Sequence, residues 1–327
     1  MDFSLNEDQE ALRDGIRSFC ESRFGIAELR KVEAGGLDKK SWREFAEMGI
    51  LGLRIPESAG GVGLGMSEAV LVFEQIGRCV VPGPLLWTHL AEGCMGGSAG
   101  PGDVILTGID VRGDFAGPFM VEHARAADHL VVLRDKGVFR VPCDELEGQG
   151  IESPLDPLTP IDRVEMIPQG DQIGDALRSA EMRREGAVLV SAMRLGIAEA
   201  TQELATAYAS EREQFGRAVG SFQALKHILA DCFVRQELAR AAVYAAGVRL
   251  DDSKLEGRER AVSAAVLIAG EAAMKNARAC IQVHGGMGFT WENPAHYYLK
   301  RAWVLENAIG SSAEFAESLA QMIVAES

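Results

Sequence analysis

From about residue 172 onward, apolar residues recur every three or four positions over long stretches, and this periodicity commits the second half of the chain to a helical architecture. Leu189, Met193, Gly196, Ala200, Leu204 and Ala207 form one stripe. Phe222, Leu225, Leu229, Cys232, Ala239 and Val243 form another after a break at Gly216–Gly220. A 3.6-residue turn places such residues on one helix face. Two further long helices are predicted over residues 258–283 and 297–325. Long helices joined by short turns make an antiparallel four-helix bundle.

Residues 1–93 read as shorter helices and loops. Asn6 and Gln9 form a capping-box pattern, followed by Leu12, Ile16 and Phe19 at helical spacing. A second helix carries Trp42, Phe45 and Met48 on one face and is closed by Gly49. After the Gly-rich stretch PESAGGVGLG (Pro56–Gly65), a third helix turns Val70, Phe73 and Ile76 inward and ends near Gly77, with Pro82 and Pro84 marking its exit. The middle changes character. DVILTGIDV, HLVVLRD and GVFRVPCD are short β-branched segments, and Asp135-Lys136-Gly137 suits a hairpin turn between two of them. Pro154, Pro157, Pro160 and Pro168 then punctuate a region of strand and loop. The expected fold is mainly α with a small β domain: a helical domain over 1–93, a truncated antiparallel β domain over 94–171 and a four-helix bundle over 172–327.

Charge narrows the range of partners. Asp plus Glu number 48 against 33 Lys plus Arg, a net charge of −15, which argues against nucleic acid or an anionic membrane as the main partner. A local basic pocket for a phosphate-bearing ligand stays open. The first residues, MDFSLNEDQE, are acidic and carry no secretory pattern, and no apolar run reaches membrane-spanning length, so a cytoplasmic protein is expected. The 6 cysteines are scattered without a C-x-x-C pair, as reduced thiols would be, and the 6 histidines show no metal-ligand spacing, so no metal site is expected.

Three ordered motifs resemble the acyl-CoA dehydrogenase family. WREFAEMGILGLRIPESAGGVGLGMSEAVLVFEQIGR (Trp42–Arg78) is similar to the family's helix, "L-G-L-x-x-P-E-x-x-G-G-x-G" loop and helix. YASEREQFGRAVGSFQALKHILAD (Tyr208–Asp231) resembles its "R-x-x-F-G-x-x-[IL]-x-x-x-Q" signature, and QVHGGMGFTWENP (Gln282–Pro294) its "Q-x-x-G-G-x-G-[YF]". Taken singly, an Arg on a helix is usually a solvated face and a Gly-Gly after a helix a C-cap; the ordered set carries the resemblance. It implies FAD as cofactor. Arg212 matches the family residue that reaches the pyrophosphate, where a planar guanidinium bonds two oxygens at once. Phe215 matches the aromatic beside the cofactor, and Gln223 offers both a donor and an acceptor. Gln282, Gly285 and Gly286 match a turn whose bare backbone approaches the FAD of a neighbouring subunit. The resemblance therefore also implies an oligomer, an acyl-CoA substrate and electron-transferring flavoprotein as acceptor.

Two parts of the family pattern are missing. Members desaturate an acyl-CoA next to the thioester: a Glu takes the α-proton while the β-hydrogen leaves as hydride to the flavin. That Glu usually sits in "Y-E-G-T-S-E". Aligning RAWVLENAIGSSAEFAESLA without a gap sets Arg301 and Glu314 on the motif's Arg and later Glu, and puts Gly310 at the base. Where other members carry the base, at the start of the first bundle helix, this chain has Gly186 beside Glu185. Glu185 and Glu306 are the substitute candidates, both read as solvent-facing, so no catalytic residue is assigned. The flavin-ring segments "T-E-P-x-x-G-S-D" and "W-I-T-N" are not found. This combination is similar to the short subunit of the two-gene, α2β2 acyl-CoA dehydrogenases of actinobacterial steroid catabolism, which pairs with a full-length, base-bearing subunit. The alternatives are a self-sufficient homo-oligomeric dehydrogenase, a flavin monooxygenase of the same fold, and a non-catalytic scaffold.

Overall fold

Asn6 opens the first helix as its capping box requires: its side chain accepts the Gln9 N–H at 2.8 Å, and Gln9 Oε1 accepts the Asn6 N–H at 3.2 Å. The computed structural model describes residues 5–35, 39–96, 100–252 and 254–325. Helices α1 (Glu7–Arg23), α2 (Ile26–Gly35), α3 (Lys39–Glu47), α4 (Met66–Arg78) and α5 (Leu85–Ala91) come first. Strands β1 (Leu106–Asp110), β2 (Phe119–Glu122), β3 (His129–Arg134), β4 (Gly137–Pro142), β5 (Gly148–Gly150), β6 (Ile161–Val164) and β7 (Asp171–Gly174) follow. The chain then forms α6 (Ala176–Glu211), a small hairpin of β8 (Glu213–Gln214) and β9 (Arg217–Ala218), α7 (Gln223–Asp251), α8 (Arg258–His284), α9 (Ala295–Val304) and α10 (Ser312–Ala325). It divides into two compact units, Met1–Ile26 with Val70–Val81 and Val188–Ser327, and Ala27–Ala69 with Pro82–Ala187.

The first unit is helical. Residues 188–200 of α6 are buried all round, as a helix without an exposed face must be. α4 ends at Arg78, next to Gly77 as the sequence predicts, and Gly77 also serves a close crossing. A Cβ there would fall 2.0 Å from Met193 O, and one at Gly196 would fall 1.9 Å from Glu74 O. Asn276 of α8, fully buried, donates to Ala198 O (3.2 Å) and Cys232 O (2.9 Å), tying α8 to α6 and α7 through one amide. A buried ionic network adds α1 and α4. Arg17 donates to Gln75 Oε1 (2.9 Å) and Glu199 (3.2 Å), while Glu74 accepts from Arg240 (2.8 Å) and Tyr244 (2.7 Å). Burial pushes the Glu74 carboxyl up to about 7 despite Arg240.

The predicted helix over 297–325 is two helices. Arg194 of α6 donates to Leu305 O at 2.7 Å and pairs with Glu306 at 2.9 Å, satisfying a carbonyl freed where α9 ends. Gly310 then turns the chain at φ 68°.

The second unit holds the β strands. β1-β3-β4-β7 form one sheet and β2-β6-β5 another. Asp135 and Lys136 make the expected turn of the β3–β4 hairpin, with Arg134 opposite Gly137. The sheet is mixed, because β1 and β3 run parallel: β2 lies in the other sheet, so the chain re-enters the first one beside β1 in the same direction. α5 is buried along its whole length. Its Thr88 hydroxyl donates to Leu106 O (3.0 Å) and accepts the Leu106 N–H (3.1 Å), closing part of the free edge of β1. Trp42 and Phe45 of α3 are buried, but Met48 is 42% exposed, because α3 stops at Glu47 and Gly49 (φ 74°) turns the chain away. The cysteines are free thiols. Among the described residues no cluster could hold a metal ion, and no helix is long and apolar enough to cross a membrane.

Candidate functional site

The six residues singled out in sequence lie at one end of the helical unit. The end of α6, the start of α7 and the end of α8 are joined there by one apolar cluster that includes Ala205, Ala209, Leu225, Leu229, Ile281 and Val283. The Tyr208 ring stacks on His284 at 4.2 Å. Arg212, Phe215 and Gln223 sit on the hairpin side of this end; Gln282, Gly285 and Gly286 close α8 on the other.

The hairpin turns at Phe215 (φ 54°) and Gly216 (φ 78°). Two positive φ values mark the turn family that suits strand twist, normally served by Asn-Gly or Asp-Gly. A bulky aromatic at the first position is held in an unfavourable backbone region. It is also 89% exposed, touching Phe222 only edge-on at 6.2 Å between ring centres. Strain together with exposure is costly to the isolated chain and points to a contact made elsewhere. Arg212 is exposed and makes no ion pair among the described residues. Gln223 is the first residue of α7, whose N-terminus has no side-chain cap, and its amide contacts His227 at 3.3 Å. An uncapped helix start and an unpaired guanidinium are both suited to an anion.

At the other edge, Gln282, Gly285, Gly286, Arg278, Ile281, Phe289 and Leu299 line a cavity of about 350 Å³. Gly285 caps α8 at φ 60° and ψ −136°, a conformation that needs glycine. A Cβ added at Gly285 or Gly286 would meet nothing within 4 Å, whereas one at Gly288 would fall 2.8 Å from Ile281 O. Gly288 is small for packing; Gly285 and Gly286 leave open room on the cavity side. This cradle, with Arg212 and the α7 start, is the part of the structure that fits a flat, phosphate-bearing cofactor such as FAD. Sequence reasoning passed over Arg278 and Phe289. Arg278 lies one helical turn before Gln282 on the same face, and Phe289, 75% exposed, closes the glycine motif, so both carried a readable signal.

The carboxylates considered as bases are held differently. Glu185 is not solvent-facing: its side chain is 14% exposed and pairs with Arg54 at 2.7 Å and Arg178 at 3.2 Å. Burial favours its neutral form, but the Arg54 hydrogen bond and both guanidinium charges outweigh that and lower its pKa. Nearby, burial and the Arg54 charge push His89 down to about 4, so its imidazole is neutral. Glu306, half-buried, is bound by Arg194 and accepts the Ser312 N–H at 3.3 Å. Glu314 accepts the Ser311 N–H at 3.0 Å, where α10 begins. Arg301 is buried and donates to Val81 O at 2.9 Å.

Comparison with known proteins identifies the family. Residues 6–97 match the acyl-CoA dehydrogenase N-terminal domain and residues 181–323 the acyl-CoA dehydrogenase C-terminal domain. The chain is 33% identical over 304 residues to the acyl-CoA dehydrogenase IpdE2 of Mycobacterium tuberculosis, covering 90% of this chain and 91% of that protein. It is 30% identical over 317 residues to IpdE2 of Mycolicibacterium smegmatis, covering 95% and 97%. In structure it is similar to a chain of the ChsE4-ChsE5 complex of Mycobacterium tuberculosis, with a TM-score of 0.85 at 24% identity, covering 99% of this chain and 99% of that chain. It is also similar to the Tcur3481-Tcur3483 steroid ACAD, with a TM-score of 0.86 at 25% identity over 99% of both chains. The chain therefore belongs to the acyl-CoA dehydrogenase family, an oxidoreductase family of FAD-dependent flavoproteins.

Proposed function

We propose that this chain is one subunit of a heteromeric acyl-CoA dehydrogenase, forming one edge of a composite FAD site while a full-length partner subunit supplies the catalytic carboxylate. When bound, FAD supplies hydride acceptance from the acyl chain. Arg212 would hold the pyrophosphate with the start of α7, Phe215 would lie against a ring of the cofactor, and Gln223 would bond a polar edge. Gln282 and the open Gly285–Gly286 backbone would receive the cofactor's polar atoms at the α8 end. Residues 94–171, lacking the flavin-ring segments, would leave that contact to the partner.

The observation that carries this reading is the strained, 89% exposed Phe215 beside an unpaired Arg212: groups laid out for a contact the isolated chain does not make. The state of the candidate positions supports the partner's role, since Glu185 and Glu306 are bound by arginines and Gly310 cannot take a proton. Electron-transferring flavoprotein is the expected electron acceptor. The names of the relatives favour an acyl-CoA from lipid or steroid degradation, and a cytoplasmic α2β2 assembly fits the same reading.

The test is flavin content. In a complex of this chain with a base-bearing acyl-CoA dehydrogenase subunit, Arg212→Ala should weaken FAD binding by roughly ten- to a hundredfold, the scale of a charge-assisted bond. FAD retained at wild-type affinity would remove Arg212 from the site.

A further inference from the structure

The β-bearing unit contains a cavity of about 490 Å³ that includes none of the residues assigned above. Its volume is within the range of small-molecule sites. Trp42, Ile105, Leu158 and Pro82 are among its apolar walls. Trp42 is 2% exposed, and its Nε1–H has no hydrogen-bond partner among the described residues. A buried indole N–H almost always finds an acceptor, and leaving one unmade costs free energy. The pyrrole edge of this indole passes Gly102, another lining residue: a Cβ there would stand 3.6 Å from Trp42 Cδ1 and 3.7 Å from Nε1.

The charges around the cavity are unevenly committed. Asp162 is taken by Arg125 at 2.8 Å, and Asp128 accepts the Ile105 N–H at 2.7 Å. Lys39 and Arg43, on α3 with Trp42, form no ion pair among the described residues, and neither do Asp103 and Asp128, the latter accepting only a backbone N–H. Three cations thus face three carboxylates among the lining residues, within a chain whose net charge is −15. The cavity also contains His123, held at φ 52° although it is not glycine.

We propose that this cavity is a second binding site for a small amphipathic carboxylate. The apolar body of the ligand lies against Trp42, Ile105 and Leu158; its oxyanion accepts the Trp42 Nε1–H and lies near Lys39 and Arg43. The match is chemical: an apolar wall, one buried donor without an acceptor among the described residues, and two cations that make no ion pair among them.

Octanoate, with octanamide as its neutral counterpart, is the probe, titrated calorimetrically into the full chain and into Trp42→Phe and Arg43→Gln. Octanoate is expected to bind, and to lose roughly tenfold or more in affinity in each variant, the scale of one hydrogen bond to a charged group. Octanamide should bind more weakly by a similar factor. Arg43 is exposed, so its variant decides the matter if Trp42→Phe does not fold. Absence of octanoate binding, equal binding to wild type and Arg43→Gln, or octanamide binding as tightly as octanoate would each overturn the proposal.

Discussion

The two sets of residues that matter for flavin chemistry are built in opposite ways. At the α6–α7–α8 end, Arg212 makes no ion pair among the described residues, Phe215 is strained and exposed, and Gly285 and Gly286 leave a cavity open. Where a base would be sought, the candidate carboxylates and Arg301 are held by protein partners: Glu185 by Arg54 and Arg178, Glu306 by Arg194, Glu314 by the start of α10, Arg301 by Val81 O. One set accepts instability in the isolated chain to present itself outward; the other satisfies itself internally and serves the fold. Retained family residues thus divide by whether their bonding capacity is already used, a distinction that sequence motifs alone do not make.

Removing tied groups should have the largest effects on stability. Glu185→Ala leaves two arginines facing an empty, mostly buried site and should destabilise the chain by about 3 kcal/mol in urea unfolding. Glu185→Gln should leave turnover of the assembled enzyme within about tenfold; a loss nearer the 10²–10⁴-fold worth of acid–base catalysis would make Glu185 the base and break the comparison.

The tied groups also set the response to pH. Glu74 binds its proton more tightly in the folded chain, so its contribution is complete below 4.5 and is lost as pH rises through about 7. His89 binds its proton more weakly when folded, so its contribution is complete above 6.5 and is lost as pH falls through about 4. The stability of Glu74→Gln relative to wild type should therefore rise between about pH 5 and about pH 7, by at most about 3 kcal/mol for a shift of this size. A difference independent of pH would show that the Glu74 carboxyl is not held neutral.

Two glycines sharpen the contrast at one turn. Gly288→Ala drives a methyl toward Ile281 O and should cost about 2 kcal/mol. Gly286→Val meets open space, so the unliganded chain should change by less than about 0.5 kcal/mol, while FAD binding by the complex weakens tenfold or more. If the Gly286 variant keeps its flavin, the cradle is not the cofactor's. The one stabilising change is Phe215→Gly, which relieves a positive φ and should stabilise the isolated chain by roughly 1 kcal/mol while weakening the assembled flavoprotein.

Much of this was legible from the residues. The apolar stripes located α6 and α7, the Asn6–Gln9 pair located the start of α1, and Asp135–Lys136 located a hairpin, because each is a local signal with a local cause. The features that escaped are set at long range. The break between α9 and α10 depends on Arg194, more than a hundred residues earlier in the chain, with Gly310 as its one local signal in LENAIG. The parallel β1–β3 pairing depends on β2 leaving for another sheet. The burial of Glu185 requires Arg54 opposite it. The three motifs brought Arg212, Gln223 and the Gln282–Gly286 turn to attention, but the left-handed backbone of Phe215 runs against what its residue type favours, so only the structure could show it.

The central claim is most directly tested by producing this chain alone and together with a base-bearing acyl-CoA dehydrogenase subunit, and measuring bound FAD per chain alongside the mass of the assembly. The account predicts little or no flavin on this chain alone and a yellow heterotetramer when the two are made together. A yellow homo-oligomer that desaturates acyl-CoA without a partner would contradict it.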